Sequence, residues 1–280
     1  MKTRVLSGLI MLPLLIIVII RGWVLFAGCF VLSLMALYEF FRGFKEMGIK
    51  PSYSIAAGST VLLYLLGLLQ GLYRTGHDGL AFSVSAEAVM LWIFVSMLAC
   101  LLYLFSIEKR KLEDAMVTAV SIFYIVFFCY HIAALGMDPL WSLFVWLVII
   151  TAFGTDICAY FAGVLMGKHK LCPKISPKKT WEGAIGGIIG SVVLCGLFGF
   201  FFARPVLIHC IIIGVLGSII SMFGDLTASI FKRKMGIKDY GNLIPGHGGI
   251  LDRFDSVLFT GPFVYYYVTV VFGFGTIAAW

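Results

Sequence analysis

Residues 232–256, KRKMGIKDYGNLIPGHGGILDRFDS, concentrate charge, glycine and one histidine between two almost wholly apolar stretches. Eight of the 24 residues from Lys232 to Asp255 are charged, against 12% for the whole chain. Carboxylates supply the hard oxygen ligands that Mg²⁺ prefers, and lysine and arginine neutralise phosphate oxygens. This combination predicts a site that transfers a phosphoryl or nucleotidyl group.

The acids around this segment have types and spacing suited to a metal ion. Asp225 ends the preceding apolar stretch, and a carboxylate at membrane depth costs about 2.5–3.5 kcal/mol and needs a compensating role. Asp252 and Asp255 are three residues apart, so a helix that begins near GILDRFDS projects both from one face. Together the three acids suit Mg²⁺. The alternative is that the last two pair with Arg253 or complement a helix N-terminus.

The sequence PGHGG, residues 245–249, precedes that expected helix start. Glycines there can adopt positive φ and leave backbone N–H groups beside a helix N-terminus, a geometry suited to phosphate oxygens. A glycine-rich turn between two membrane helices has the same appearance, so a purely structural turn stays an alternative. His247 is a candidate base, phosphate donor or turn residue, and its type does not decide among these roles.

A second polar segment, GKHKLCPKISPKKTWEG at residues 167–183, carries five lysines and follows Asp156. The basic residues of both segments have an alternative explanation as topology signals of a membrane protein. Because acids and glycines occur in the same segments, phosphate binding is the favoured interpretation.

Membrane-spanning helices must position these residues. The chain is 61% hydrophobic, with apolar runs near 20 residues and no period-two alternation of the kind that outer-membrane barrels show. We therefore predict an all-α polytopic integral membrane protein. Its nine predicted spans lie at roughly residues 5–20, 23–41, 52–72, 88–106, 115–135, 139–165, 182–202, 205–230 and 257–279.

The basic residues predict the orientation of these spans. Of 21 lysine and arginine residues, 18 fall on the side of the amino terminus, and only Arg21, Arg74 and Arg204 fall on the other side. The positive-inside rule then places the amino terminus and both polar segments in the cytoplasm. The same rule explains the net charge of +7, which gives no reason to invoke nucleic acid.

Domain organisation follows from the absence of any long hydrophilic stretch. We expect one membrane domain over residues 1–280, with helical spans in 1–140 and a catalytic portion in 141–280 that carries the polar segments. Seven cysteines without CxxC spacing predict neither a disulfide framework nor a zinc site. Glycine pairs 183/187 and 186/190 have small-xxx-small spacing and predict close helix packing.

The polar residues from Ser229 to Asp255 resemble the signature of phosphatidate cytidylyltransferases, also called CDP-diacylglycerol synthases. The pattern runs SIFKR, then KDYG after four residues, then PGHGGILDRFD. The resemblance extends upstream through GDL and TDICAYFAGVLMGKHKL, so it covers roughly residues 150–256. The amino-terminal half matches only as hydrophobic spans.

This resemblance implies transfer of a cytidylyl group from CTP to phosphatidate in phospholipid biosynthesis, with Mg²⁺, at the cytoplasmic face of the cell (inner) membrane. It implies that Asp225 and Asp252 hold the metal. The other catalytic residues expected are Lys238, Asp239, His247, Arg253 and Asp255. The residues expected to bind substrate are Lys174, Lys178, Lys179, Ser229, Lys232, Arg233, Gly248 and Gly249. The expected partners are CTP, phosphatidate and membrane lipid, and the sequence does not decide whether the protein forms a homodimer.

Other activities compete with this interpretation. A CTP-dependent polyprenol kinase, or a cytidylyltransferase that acts on an ether lipid, also uses CTP at a membrane. A CDP-alcohol phosphatidyltransferase is disfavoured because its DGxxAR…GxxxDxxxD run is absent. In an ion-coupled transporter, Asp156 and Asp225 would be intramembrane ion ligands, although transporters more often place such acids near the bilayer midplane.

Overall fold

The computed structural model describes residues 16–77, 85–242 and 248–272. Within these residues, eight helical segments are long and apolar enough to cross a membrane, which confirms eight of the nine predicted spans and the all-helical class. The first predicted span, residues 5–20, lies mostly outside the described part of the chain. The total of nine spans and the side of the amino terminus therefore stay predictions.

Helices account for most of the described chain, and we number them α1 to α9 in chain order. Their bounds are α1 (Gly22–Lys45), α2 (Tyr53–His77), α3 (Ala86–Tyr103), α4 (Leu112–Ser121), α5 (Phe128–Met137), α6 (Val145–Met166), α7 (Trp181–Phe202), α8 (Leu207–Met235) and α9 (Leu251–Tyr266). Short 3₁₀ helices occupy Ser142–Phe144 and Arg204–Val206, and π-helical turns occupy Ile122–Phe127 and Tyr267–Phe272. The predicted span 115–135 is thus two α-helices joined by a π-helical turn.

The chain divides into two compact units. The first contains Met1–Ser142 and Met235–Arg253, and the second contains Leu143–Lys234 and Phe254–Trp280. The segment 235–253, which the sequence assigns to the carboxyl-terminal portion, therefore belongs to the first unit. The first three residues of α9 lie in the first unit and the rest of that helix in the second.

Large side chains fill the core of the first unit. Trp92 on α3 is fully buried, its indole N–H donates to the Ser59 carbonyl at 2.9 Å, and its ring stacks on Phe127 at 5.6 Å. A buried polar donor needs such a partner where water is absent. This packing fixes α2, α3 and the π-helical turn as one body.

Small residues hold α6 against α7 in the second unit, as the glycine spacing predicts. A Cβ atom at Gly186 would lie 2.2 Å from Ala162 Cβ, and one at Gly190 would lie 2.2 Å from Cys158 Sγ. At Gly187 it would lie 3.0 Å from the Thr155 carbonyl oxygen. Only glycine permits this approach, so the predicted close packing is confirmed.

A β-hairpin that the sequence does not predict joins α6 to α7. Strands β1 (Lys170–Cys172) and β2 (Ser176–Thr180) pair antiparallel, with Lys170 opposite Thr180. Glu182 fastens the base of the hairpin, because its carboxylate accepts the Lys168 N–H at 3.1 Å and contacts His169 Nδ1 at 2.6 Å. The lysine-rich segment is therefore an ordered strand rather than an irregular loop.

Candidate active site

A cleft of about 450 Å³ opens in the second unit among α6, α7, α8 and the hairpin. Its polar side is formed by Asp156, Lys170, Lys178, Lys179, Thr180 and Asp225. Its apolar side is formed mainly by Tyr160, Val164, Leu171 and Met222. One cleft therefore presents cations and carboxylates beside a hydrocarbon-like wall.

Lys179 and Asp225 form an ion pair in this cleft, and each side chain is 25% exposed. Lys179 comes from the end of β2, where Thr180 caps α7 by accepting the Gly183 N–H at 3.1 Å. Asp225 comes from α8, one turn before Ser229 on the same helix. Both charges stay partly open to solvent, so an anionic substrate can reach the lysine.

Two further acids lie next to this pair in the second unit. The Asp156 carboxylate accepts the Ser256 hydroxyl at 3.2 Å, and Asp255 is 7% exposed. Asp255 interacts electrostatically with Asp225, Lys232 and Asp156. Gly224 allows α8 to approach α9 here, since a Cβ atom at Gly224 would lie 2.8 Å from the Asp255 carbonyl oxygen. Three carboxylates and two lysines are thus concentrated in one region.

This donor set suits a hard divalent cation, because it consists of carboxylate oxygens. Across residues 16–77, 85–242 and 248–272, however, no three His, Cys, Asp or Glu side chains are arranged to hold a metal ion by themselves. Mg²⁺ characteristically binds one or two carboxylates and takes its other ligands from water and substrate phosphates. The described residues are therefore compatible with Mg²⁺ held by one or two carboxylates.

At the end of the glycine-rich segment, within the first unit, two carboxylates accept backbone N–H groups. Asp252 Oδ2 accepts the Tyr240 N–H at 2.8 Å and the Gly249 N–H at 3.0 Å. Glu39 on α1 accepts the next two amides, Ile250 at 3.0 Å and Leu251 at 2.9 Å. The start of α9 is therefore capped by protein carboxylates, which occupy the amides that the sequence interpretation offers to phosphate. Substrate binding by Gly248 and Gly249 stays a prediction.

α9 begins within the GILDRFDS segment, as the spacing of its acids predicts, and before the predicted span 257–279. The helix begins at Leu251 rather than near residue 257, so Asp252 and Asp255 are both helical and three residues apart. Gly248 has a φ of +85°, the left-handed conformation expected of a glycine in this segment. The helical spacing needed to place two carboxylates on one face is thus present.

The remaining predicted residues are divided between the units. In the second unit, Lys178 lines the cleft, Lys174 is exposed at the hairpin turn, and the Arg233 guanidinium donates to the Ile175 carbonyl at 3.2 Å. In the first unit, Lys238 and Asp239 are exposed. Asp239 borders a smaller pocket of about 230 Å³ that Arg42 and Glu46 also line.

Two predicted residues remain to be placed, and Arg253 is half-buried in the first turn of α9. Arg253 donates its backbone N–H to the Ile250 carbonyl at 2.9 Å, which belongs to the first turn at the start of α9. His247 lies outside the described residues, and its role stays a prediction.

The sequence interpretation misses Glu39, Thr180 and Ser256 and gives Asp156 no role in cytidylyl transfer. Glu39 and Asp156 both carry a usable signal, since each is an acid inside an otherwise apolar span. Thr180 and Ser256 carry none, because small hydroxyl residues are common in membrane helices and turns. Only their contacts in the folded chain identify them.

The chain is similar to known cytidylyltransferases over nearly its whole length. The profile of the cytidylyltransferase family matches residues 2–271. The phosphatidate cytidylyltransferase of Bacillus subtilis is 31% identical over 269 residues, which cover 95% of this chain and 97% of that protein. That of Synechocystis is 33% identical and covers 96% of each chain, and that of Haemophilus influenzae is 47% identical over 46% of this chain and 47% of its own. The chain belongs to the cytidylyltransferase family.

Proposed function

We propose that this protein transfers a cytidylyl group from CTP to phosphatidate, forming CDP-diacylglycerol and pyrophosphate. The observation that carries the proposal is the cleft of the second unit, where the Lys179–Asp225 pair and Lys178 adjoin an apolar wall. A lipid phosphate requires positive charge for its head group and an apolar surface for its acyl chains. The similarity to phosphatidate cytidylyltransferases over nearly the whole chain supports the same reaction.

The reaction is a substitution at phosphorus. A phosphate oxygen of phosphatidate attacks the α-phosphorus of CTP, a new P–O bond forms, and the bond between the α-phosphorus and its bridging oxygen breaks. Pyrophosphate leaves with that electron pair. A phosphate monoester with a second pKa near 6 is already largely dianionic at neutral pH. The site therefore needs no strong general base, in agreement with a cleft whose polar residues are lysines, acids and a threonine.

Charge repulsion between the two substrates is the obstacle that the cleft must overcome. Lys178 and Lys179 on β2 supply positive charge where the lipid phosphate and the triphosphate would meet. Asp225 holds Lys179 in place before substrate arrives, because the two side chains are paired. The hairpin, fastened through Glu182, keeps both lysines at the mouth of the cleft.

Asp225 and Asp252 are the residues that we propose for Mg²⁺, as the signature implies. When bound, Mg²⁺ neutralises the triphosphate and stabilises the leaving pyrophosphate. Asp225 lies in the cleft, and Asp252 lies at the start of α9. Asp255 and Asp156 place further carboxyl oxygens beside Asp225, and such oxygens suit a divalent cation.

Lipid and nucleotide must enter the site from different phases. Tyr160 and Val164 on the apolar side of the cleft are each 66% exposed, as residues on a membrane helix are when they contact lipid. The hairpin on the polar side is rich in lysine, the composition of cytoplasmic loops. We propose that phosphatidate enters from the bilayer and CTP from the cytoplasm, at the inner face of the cell membrane.

Pyrophosphate release tests the proposed activity. Purified protein in detergent is mixed with phosphatidate, Mg²⁺ and each of the four ribonucleoside triphosphates in turn. We expect release with CTP only, dependent on phosphatidate, and abolished in the Asp225→Asn protein purified in parallel. Equal release with all four nucleotides, or release that does not need phosphatidate, would contradict the proposal.

A further inference from the structure

Glu39 is a buried acid in the membrane-spanning helix α1, and its side chain contacts the polar segment between α8 and α9. It is 7% exposed and lies within two turns of the carboxyl end of α1, which runs from Gly22 to Lys45. Burial of a carboxylate is costly unless its oxygens are hydrogen-bonded. Both oxygens are bonded here, and both partners are backbone amides of the α9 start.

The contact joins residues 211 and 212 positions away in sequence. Glu39 Oε1 accepts the Ile250 N–H at 3.0 Å, and Oε2 accepts the Leu251 N–H at 2.9 Å. A carboxylate at a helix N-terminus is favoured by the helix dipole and satisfies amides that have no partner within the helix. Glu39 thus serves as an N-terminal cap supplied by a distant helix.

Two glycines of the signature show how closely the carboxylate is enclosed. A Cβ atom at Gly249 would lie 2.4 Å from Glu39 Oε2, and one at Gly241 would lie 2.7 Å from Oε1. These glycines stand on either side of residues 242–248. The Glu39 carboxylate therefore packs closely against both glycines, and a larger residue at either position would force it to move.

The helix that Glu39 caps carries the charged residues of the signature. Asp252 is the first acid of α9, and Arg253 and Asp255 follow it. Asp252 itself bonds the amide that precedes those held by Glu39, so three successive amides donate to two carboxylates. A shift of this turn along or about the helix axis would move Asp252.

We propose that Glu39 is a positioning residue for cytidylyl transfer, which holds the first turn of α9 so that Asp252 keeps the orientation that the reaction needs. The inference rests on the proposed function, and it adds a residue outside the signature segment. Glu39 acts through the backbone of Ile250 and Leu251, and it does not need to touch substrate.

The variant Glu39→Gln tests this role with almost no change in shape. The amide oxygen of glutamine accepts one N–H, but its NH₂ group faces the other N–H, which then has no acceptor. We expect kcat to fall by about 10²-fold, because misplacement of reacting groups by about 1 Å costs that much. The KM for phosphatidate should stay within about two-fold of wild type, because the lipid cleft belongs to other residues.

Asp114→Asn is the matched control. Asp114 is also a buried carboxylate of the first unit, 2% exposed, and it accepts two backbone amides, Lys50 at 2.6 Å and Lys111 at 3.0 Å. Its loss should lower thermal stability to a similar degree and leave kcat within about two-fold of wild type. An equal fall of kcat in both variants would mean that Glu39 is merely structural and would overturn the proposal.

Hydrogen–deuterium exchange gives a readout that does not depend on catalysis. In Glu39→Gln, peptides that cover residues 248–253 should exchange faster, while those of α6 and α7 should match the wild type. If the wild type makes no CDP-diacylglycerol, the proposed function fails while the exchange experiment still tests the cap. Unchanged exchange at 248–253 overturns the capping role even if the wild type is fully active.

Glu39→Asp is the alternative test of the positioning role if the glutamine variant does not purify as a folded protein. Aspartate keeps the charge but withdraws the carboxylate by one methylene, so it cannot reach both amides. We expect a fall in kcat of about ten-fold, equivalent to the loss of one buried hydrogen bond. A wild-type kcat in this variant would refute the proposal.

Discussion

Removal of the positive charge of Lys179 is the change that bears most directly on the cleft. Lys179→Met keeps the length and apolar stem of the side chain but leaves Asp225 without its paired cation. Asp225 would then interact with Asp255 without that cation, although Lys232 still interacts with Asp255. We expect the variant to bind its anionic substrate more weakly.

The size of the effect follows from the contact that the lysine would make with phosphate. A hydrogen bond to a charged group contributes about 1.5–3 kcal/mol, which corresponds to about 10- to 150-fold in kcat/KM. The ion pair itself should contribute only about 1 kcal/mol to stability, because both side chains are one quarter exposed. Activity should therefore fall much further than thermal stability.

The assay measures initial rates of CDP-diacylglycerol formation while CTP and phosphatidate are varied in turn. Lys234→Met is the matched control, since Lys234 is an exposed lysine at the end of α8 that does not line the cleft. It removes the same topological charge, so it separates phosphate binding from membrane insertion. The double variant of Lys178 and Lys179 should raise the KM of the same substrate further.

Three results would bear on this reasoning. A raised KM for one substrate in Lys179→Met, with wild-type kinetics in Lys234→Met, supports it. Equal losses in the two lysine variants would indicate a topological role alone. Wild-type kinetics in Lys179→Met would refute the assignment of the cleft.

Further predictions concern packing, the signature loop and pH. Gly186→Ala should lower the stability of the protein in detergent by about 1–3 kcal/mol, because the new methyl group meets Ala162. Gly196→Ala should not lower it, because its methyl group would lie 3.7 Å from its nearest neighbour. Thermal unfolding of both variants checks this prediction. Gly249→Ala should reduce kcat, because its methyl group would meet the Glu39 carboxylate. Its effect should be less than additive with that of Glu39→Ala, since loss of the carboxylate leaves room for the methyl group. A double-mutant cycle checks this, and strict additivity would contradict the contact. The value of kcat/KM for phosphatidate should fall about ten-fold per pH unit below pH 6, as the lipid phosphate gains its second proton, and a flat profile would argue against a dianionic nucleophile.

Much of the membrane architecture could be predicted from the sequence, because lipid imposes a simple rule on length and polarity. Apolar runs of about 20 residues indicate spans wherever they occur. The glycine spacing of α7 also predicts its packing, since a stripe of small residues on one helix face has few other uses in a membrane. Local patterns were sufficient for both features.

The features that the sequence does not reveal depend on partners distant in the chain. Nothing near Glu39 indicates that its carboxylate bonds residues 250 and 251. The hairpin at residues 170–180 contains two prolines and four lysines, a composition that favours a loop, and it is stabilised by Glu182 and Arg233 from neighbouring helices. The π-helical turn at Ile122–Phe127 likewise depends on packing, because its residues are typical of any apolar helix.

Transfer of isotope from CTP to lipid tests the proposed reaction most directly. Purified protein, phosphatidate and Mg²⁺ are incubated with CTP labelled with ³²P at either the α- or the γ-phosphate, and the lipid is extracted and counted. Cytidylyl transfer predicts that the α-label enters the lipid and that the γ-label is recovered in pyrophosphate. The account would be contradicted by lipid that carries the γ-label, which is the product of a CTP-dependent kinase. It would also be contradicted by lipid that carries no label from either nucleotide.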